Sequence, residues 1–294
     1  MWSSASARDF AAIWDISTPS RPGRLPGVSM AGFRSRTADP VDIRIVPYPA
    51  VMVFIEFGGD GIVVDDNSGR QQRGSAVVGL VPGNVRGNGR DIDCLQVRLS
   101  PAVAYAVLGA PGLLGETVVA LDDLWGRDAG CIHERLRDAA SWDERFAIAE
   151  AALARRLEAG RVIDPEVSFA WEQMATRRGR LRVDQLADKI GWSRKRLWSQ
   201  FRSQVGITPK RAVQLVRFDR AAHRLAAGHG IAQVALESGY VDQSHLNRDV
   251  MAFAGVTPAA VALAPWLAVD DIAWPARGHG FNRTSTTIAA QYST

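Results

Sequence analysis

The chain has 294 residues, 47% of them hydrophobic, and 35 Lys and Arg against 31 Asp and Glu give a formal net charge of +4. That length predicts two domains, each with enough apolar content for a core, and no run of about 18 or more apolar residues is present to cross a bilayer. The opening "MWSSASARDFAAIWDIS" lacks the basic stretch and apolar segment of a secretory leader, so a soluble, cytoplasmic protein is expected.

Before residue 120, short Val- and Ile-rich runs alternate with turn residues. "VDIRIVPYP" at 41–49, "AVMVFIEFG" at 50–58, "GIVVDD" at 61–66, "AVVGLVPG" at 76–83 and "DCLQVRLS" at 93–100 are separated by Gly, Pro, Asp and Asn. This texture predicts an antiparallel β-barrel or sandwich. The charged residues Arg34, Arg44, Glu56 and Arg98 are expected to face outward. All five histidines lie later, at His133, His223, His229, His245 and His279, so no metal is expected in the β region. The two cysteines, Cys94 and Cys131, make neither a disulfide framework nor a zinc cluster, and are read as buried or partly buried free thiols.

Helical patterns follow. "PAVAYAVLGAP" reads as a short helix, and "ALDDLWGRDAGCIHERLRDAA" and "SWDERFAIAEAALARRLEAG" as two longer ones. Ser141 and Glu144 form a capping box for the last, Gly160 stops it, and Ile148, Ala152 and Leu157 help line its apolar stripe. "RVIDPEV" is a short connection.

Beyond it, one pattern occurs twice. In "LADKIGWSRKRLWSQFRSQVGITP", Ala187, Gly191, Trp192, Leu197, Phe201 and Gly206 answer Ala235, Gly239, Tyr240, Leu246, Val250 and Gly255 of "VALESGYVDQSHLNRDVMAFAGVTP", which has one extra residue at its corner. The small alanine lets two helices cross closely, the first glycine permits the positive φ that ends a helix, and the i, i+4 apolar pair fixes the buried face of the next. Each copy is a predicted helix-turn-helix. Between them, Thr208 caps and Gly228 ends a central helix of about 19 residues, roughly 28 Å, a length suited to placing two helices in major grooves about 34 Å apart. Residues 177–225 hold 14 Lys and Arg against 3 Asp and Glu, so a local balance of +11 leaves −7 for the rest. A basic block coinciding with a helix-turn-helix points to phosphate neutralisation.

These residues, over about 175–264, resemble the AraC family of bacterial transcription regulators, and "IAQVALESGYVDQSHLNRDVMAFAGVTP" looks like the family's signature stretch. The resemblance implies an α+β protein of two domains: a β-rich, cupin-like sensor or interaction domain at 1–120, a helical support or dimerisation region with its linker at 121–164, a double helix-turn-helix domain at 165–265, and a tail at 266–294 without clear periodicity, disordered or laid on the surface. It implies double-stranded DNA as partner, read by one chain in two adjacent major grooves. By alignment with the family, Lys195, Trp198 and Ser199 are candidates for base edges, with Arg194, Arg196 and Arg202 on phosphates. Gln243, Ser244, His245, Asn247 and Arg248 form the DNA-facing set of the second motif. Arg248 is the lone basic residue of 231–265, against Glu237, Asp242 and Asp249, so the second motif is expected to be anchored weakly, its two aspartates opposing close approach to the backbone.

The resemblance leaves room for RNA polymerase and an unidentified small-molecule effector as further partners, for activation or repression, and for a monomer or a homodimer. No cofactor is expected. No constellation of nucleophile, base and orienting group is legible, so the chain is not read as an enzyme. Two other readings stay open: a nonspecific architectural DNA-binding protein, and a ligand-binding or interaction protein without specific DNA function.

Overall fold

The computed structural model describes residues 12–21, 23–58, 61–65, 71–81, 85–109, 115, 117–263 and 265–274. Its first part is built from strands β1 (Trp14–Ser17), β2 (Val28–Ser35), β3 (Val41–Ile45), β4 (Val51–Gly58), β5 (Val63–Asp65), β6 (Gln71–Arg73), β7 (Ala76–Val78), β8 (Val85–Gly89), β9 (Asp93–Leu99) and β10 (Val118–Ala120). They form two open antiparallel sheets, one ordered β1-β2-β9-β4-β7-β10 and one β3-β8-β5-β6. The runs predicted as strands all contain one. The strands that sequence did not reveal include β6, whose "QQR" is polar, and β8, whose "VRGNG" reads as a turn. Both acquire strand character from their pairing with β5.

Alternation along β9 shows how the larger sheet is used. Leu95, Val97 and Leu99 lie on one face with Val53 and Ile55 of β4, packed in a cluster that includes Leu136, Phe146 and Leu153 from the helices. Cys94, Gln96 and Arg98 lie on the other. That second face is covered rather than solvated. Trp14, Phe33, Val64, Val85 and Cys94 form a separate core there, joined by Ala273 and Trp274 from the far end of the chain.

This coverage corrects the expectation for two of the four charged residues. Glu56 and Arg98 are buried, at 6% and 5% exposure. The Ile62 N–H donates to both carboxylate oxygens of Glu56, at 2.9 and 3.0 Å, while burial raises its pKa above the usual carboxylate range. Arg34 is exposed and pairs with Asp93 at 2.9 Å, and Arg44 is half-buried. Burial also pushes the Cys94 thiol up, with Glu56 and Asp93 adding to the shift. Cys131 departs from the expectation by being exposed.

Helix α1 (Pro101–Leu108) is capped by Ser100. The long helix expected over 120–140 is divided at Gly126 into α2 (Leu121–Trp125) and α3 (Arg127–Asp138). Helix α4 (Trp142–Ala159) has its Ser141 hydroxyl accepting from the Glu144 N–H at 3.2 Å. Glu144 reaches back to the Ala140 N–H at 2.8 Å, one residue before the reciprocal partner of a standard box. The buried stripe of α4 runs through Phe146, Ala149, Ala152 and Leu153, with Ile148 and Leu157 at its margins.

The C-terminal part is helical: α5 (Pro165–Thr176), α6 (Val183–Ile190), α7 (Arg194–Val205), α8 (Pro209–Ala226), α9 (Ile231–Ser238), α10 (Gln243–Ala254), α11 (Pro258–Ala262) and α12 (Pro265–Ala273). Helix α12 gives the first residues of the tail, 266–274, an ordered place on the rest of the fold. It packs on β1, β3 and α8, burying Leu267, Ala273 and Trp274; so short a helix carries too few turns for a legible period. The rest of the predicted tail, 275–294, lies outside the described residues.

The two parts touch: helix α1 packs against α7, and the Arg44 Nη1 donates to the Ala254 carbonyl at 2.5 Å.

Candidate nucleic-acid interface

The repeated pattern folds into two similar corners. Gly191 and Gly239 end α6 and α9 with φ of 75° and 80°, a conformation that a side chain would strain. The next residues fold back, the Trp192 N–H donating to the Ala187 carbonyl at 3.0 Å and the Tyr240 N–H to the Ala235 carbonyl at 2.9 Å. Ser193 and Asp242 then cap α7 and α10 by accepting from the Arg196 and His245 N–H groups. Leu197, Phe201, Leu246 and Val250 are fully buried, which fixes the rotation of both second helices. The residue inserted in the second corner is Val241, and at 87% exposure it projects from the fold without disturbing the packing.

That rotation turns the sequence-predicted residues outward. On α7, Arg194, Lys195, Arg196, Trp198, Ser199 and Arg202 are all exposed. Trp198 is 46% exposed, so it is not a core residue; the Arg202 guanidinium lies 5.2 Å from its ring centre and covers one face. Arg196 lies 4.4 Å over Trp192, tying the basic helix to its own corner. On α10, Gln243, Ser244, Asn247 and Arg248 are exposed and His245 is half-buried.

His245 is held by a group that sequence reasoning missed. Its ring meets Tyr240 edge-on at 5.2 Å, and its Nε2 is 3.4 Å from the Nη2 of Arg217 on α8. Arg217 also lies 4.4 Å over the Tyr240 ring and donates to Asp249 at 2.8 Å. Gln214, one turn earlier on α8, approaches the other Asp249 oxygen at 3.4 Å. Burial, followed by the nearby Asp249, pushes the Tyr240 phenol up. The signal available in sequence was a basic residue on the central helix, which charge counting assigned to phosphate contact instead.

Two expectations change as a result. Asp249 is 6% exposed and paired, so it does not oppose DNA as predicted; among the second motif's aspartates only Asp242, the exposed N-cap, faces solvent. Nor is the whole +11 block available to phosphate. Arg217 and Arg224 are engaged with Asp249 and Glu237, and Arg220 is half-buried, its pKa lowered by burial first and then by Arg178, Arg180 and Arg224. Of the exposed cations in this block, Arg194, Lys195, Arg196 and Arg202 lie on α7. Helices α7 and α10 are bridged by α8, whose 18 residues span about 27 Å at 1.5 Å per residue.

Unequal charge on α7 and α10 predicts unequal work. Lys195→Ala should lower affinity for a preferred duplex by about 1–3 kcal/mol and relax base preference locally, the scale of a direct base contact. Gln243→Ala should cost under about 1 kcal/mol, because α10 has Arg248 as its exposed cation and offers a duplex less anchoring than α7. Titration of both variants against that duplex and a scrambled one at a single salt concentration checks this. A larger specific loss from Gln243→Ala reverses the assignment.

Residues 186–263 match the helix-turn-helix domain family. The uncharacterized HTH-type transcriptional regulator YbfI of Bacillus subtilis (strain 168) is 33% identical over 64 residues, which is 22% of this chain and 23% of that protein. The chain therefore spans less than a quarter of the length of this curated relative. Among solved structures, ToxT from Vibrio cholerae O395 aligns over 82% of this chain and 98% of its own, with 12% identity and a TM-score of 0.46. The AraC-like transcriptional activator CuxR aligns over 81% and 92%, with 15% identity and a TM-score of 0.26.

Proposed function

We propose that this chain, which carries an AraC-type helix-turn-helix domain over residues 186–263, is a sequence-specific DNA-binding transcription regulator acting in the cytoplasm. Helices α7 and α10 enter adjacent major grooves of one duplex. Lys195, Trp198 and Ser199 test base edges while Arg194, Arg196 and Arg202 hold phosphates; Gln243, Ser244, His245, Asn247 and Arg248 face the second groove. The β-rich domain modulates this activity through a ligand or a partner, RNA polymerase among the latter. Among the described residues, no helix is long and apolar enough to cross a membrane.

The observation that carries the reading is the orientation of the two second helices. Each buries its i, i+4 apolar pair, and this presents the polar positions of both on the surface, at the ends of one connecting helix. A nonspecific architectural protein needs basic charge but has no use for an exposed Lys, Trp and Ser at base-reading positions.

Salt dependence and specificity together test it. With three arginines of α7 on phosphates, the slope of log affinity against log salt should be steeper than about −2.5, a loss of at least about thirtyfold between 50 and 200 mM salt. The preferred site, selected from genomic DNA by the full chain, should bind at least about a thousandfold more tightly than scrambled sequence. Binding that is flat in salt, or equal for both duplexes, overturns the proposal.

A further inference from the structure

The covered face of the larger sheet contains a cavity of about 140 Å³. Its walls come from three parts of the chain: aromatic and aliphatic side chains of the strands, Phe218 and Ala222 of α8, and Leu267 and Trp274 from α12 and the residue that follows it. Most of the surface is apolar. One wall carries Arg98, whose guanidinium lies between the Tyr48 ring at 4.0 Å and the Trp274 ring at 4.1 Å. Its Nη2 donates to Asp270 at 2.5 Å, and Asp270 is also 3.4 Å from His223 Nε2 of α8. The Nε and Nη1 of Arg98 are buried and lack a hydrogen-bond partner among the described residues. Buried donors of this kind are uncommon and call for a reason.

Two properties of the cavity restrict what it can take. The first is size. An apolar cavity of about 150 Å³ stays dry and accepts benzene, so this one fits a single ring or an aliphatic group of that bulk. Filling it returns dispersion contacts that the walls now forgo. The second is charge. Arg44 and Arg98 among the lining residues stand against Asp219 and Asp270, with His223 held between the two aspartates; with these groups already paired among themselves, an ion entering the cavity meets no free countercharge in a largely desolvated site. A neutral acceptor oxygen needs none and satisfies an N–H of Arg98.

We infer that this cavity is a binding site for a small neutral ligand of about one aromatic ring, carrying a hydrogen-bond acceptor that is received by Arg98. A monocyclic aromatic ketone, aldehyde or ester has this chemistry. The site is shared by β9, α8 and the end of α12, so the bound ligand contacts the sheet and the helix that connects the two DNA-reading motifs. Binding itself stands apart from the DNA-binding proposal, which the salt and specificity measurements test without ligand.

Calorimetric titration of the full chain with acetophenone, ethylbenzene and benzoate is the test. Acetophenone should bind saturably at one site per chain and about tenfold more tightly than ethylbenzene, the worth of one added hydrogen bond. Benzoate, with its charge, should bind more weakly than acetophenone. Ala222→Phe fills the space and should abolish acetophenone binding. The double variant Arg98→Met with Asp270→Leu removes the donor without leaving a buried carboxylate unpaired, and should keep ethylbenzene binding while losing the preference for the ketone. No saturable acetophenone binding, tighter binding of benzoate, or undiminished binding by Ala222→Phe overturns the inference. The ranking on the unmodified chain decides the matter even where a variant does not fold.

Discussion

Arg217→Met is expected to destabilise the helical domain by about 3–5 kcal/mol, measured as the loss in unfolding free energy at neutral pH. Asp249 is buried within α10, and the Arg217 guanidinium at 2.8 Å is its charge partner. Removing the cation leaves a carboxylate in a desolvated site, and the cost of an uncompensated buried charge is larger than the net worth of the pair. Adding Asp249→Leu should recover most of the loss, because a packed apolar pair of similar volume is tolerated about as well as the ions it replaces. Failure of the second substitution to rescue would mean that Arg217 matters through its stacking on Tyr240 rather than through charge. The single variant should also weaken binding to the preferred duplex, since His245 is held against the same guanidinium.

Phe201→Ala is expected to cost a similar amount, about 3–5 kcal/mol, for a different reason. Phe201 has no exposed surface and stacks at 6.4 Å on Trp171 of α5, so truncation opens a cavity between α7 and the rest of the domain. Trp198, three residues earlier on the same helix, provides the contrast. It is half-exposed, and Trp198→Ala should change stability by under about 0.5 kcal/mol while reducing specific DNA binding. Chemical unfolding and duplex titration of the two variants separate these outcomes. Stability lost equally in both would place Trp198 in the core and remove it from the reading face.

The double helix-turn-helix was legible because its determinants are local. A glycine that ends one helix, a capping residue that starts the next and an apolar pair one turn apart act within about ten residues of each other, and their spacing survives in the sequence as a repeat. The same locality made the exposed faces of α7 and α10 readable: once Leu197 and Phe201, or Leu246 and Val250, are placed inside, helical geometry places Lys195, Trp198, Gln243 and Asn247 outside. Half of the β region was legible for the corresponding reason, since Val-rich runs such as β4 declare themselves while β6 and β8 become strands through their neighbours.

What the sequence determined by itself was the order of the two domains, the repeat and the side chains exposed on α7 and α10. Tertiary structure alone decided which charges are spent internally. Arg217 and Asp249 are 32 residues apart, and Arg98 and Asp270 are 172 apart; no periodicity or local spacing records that they meet. A charged side chain reads the same in sequence whether it faces water or a buried partner, because the desolvation that distinguishes the two arises only when distant segments close over it.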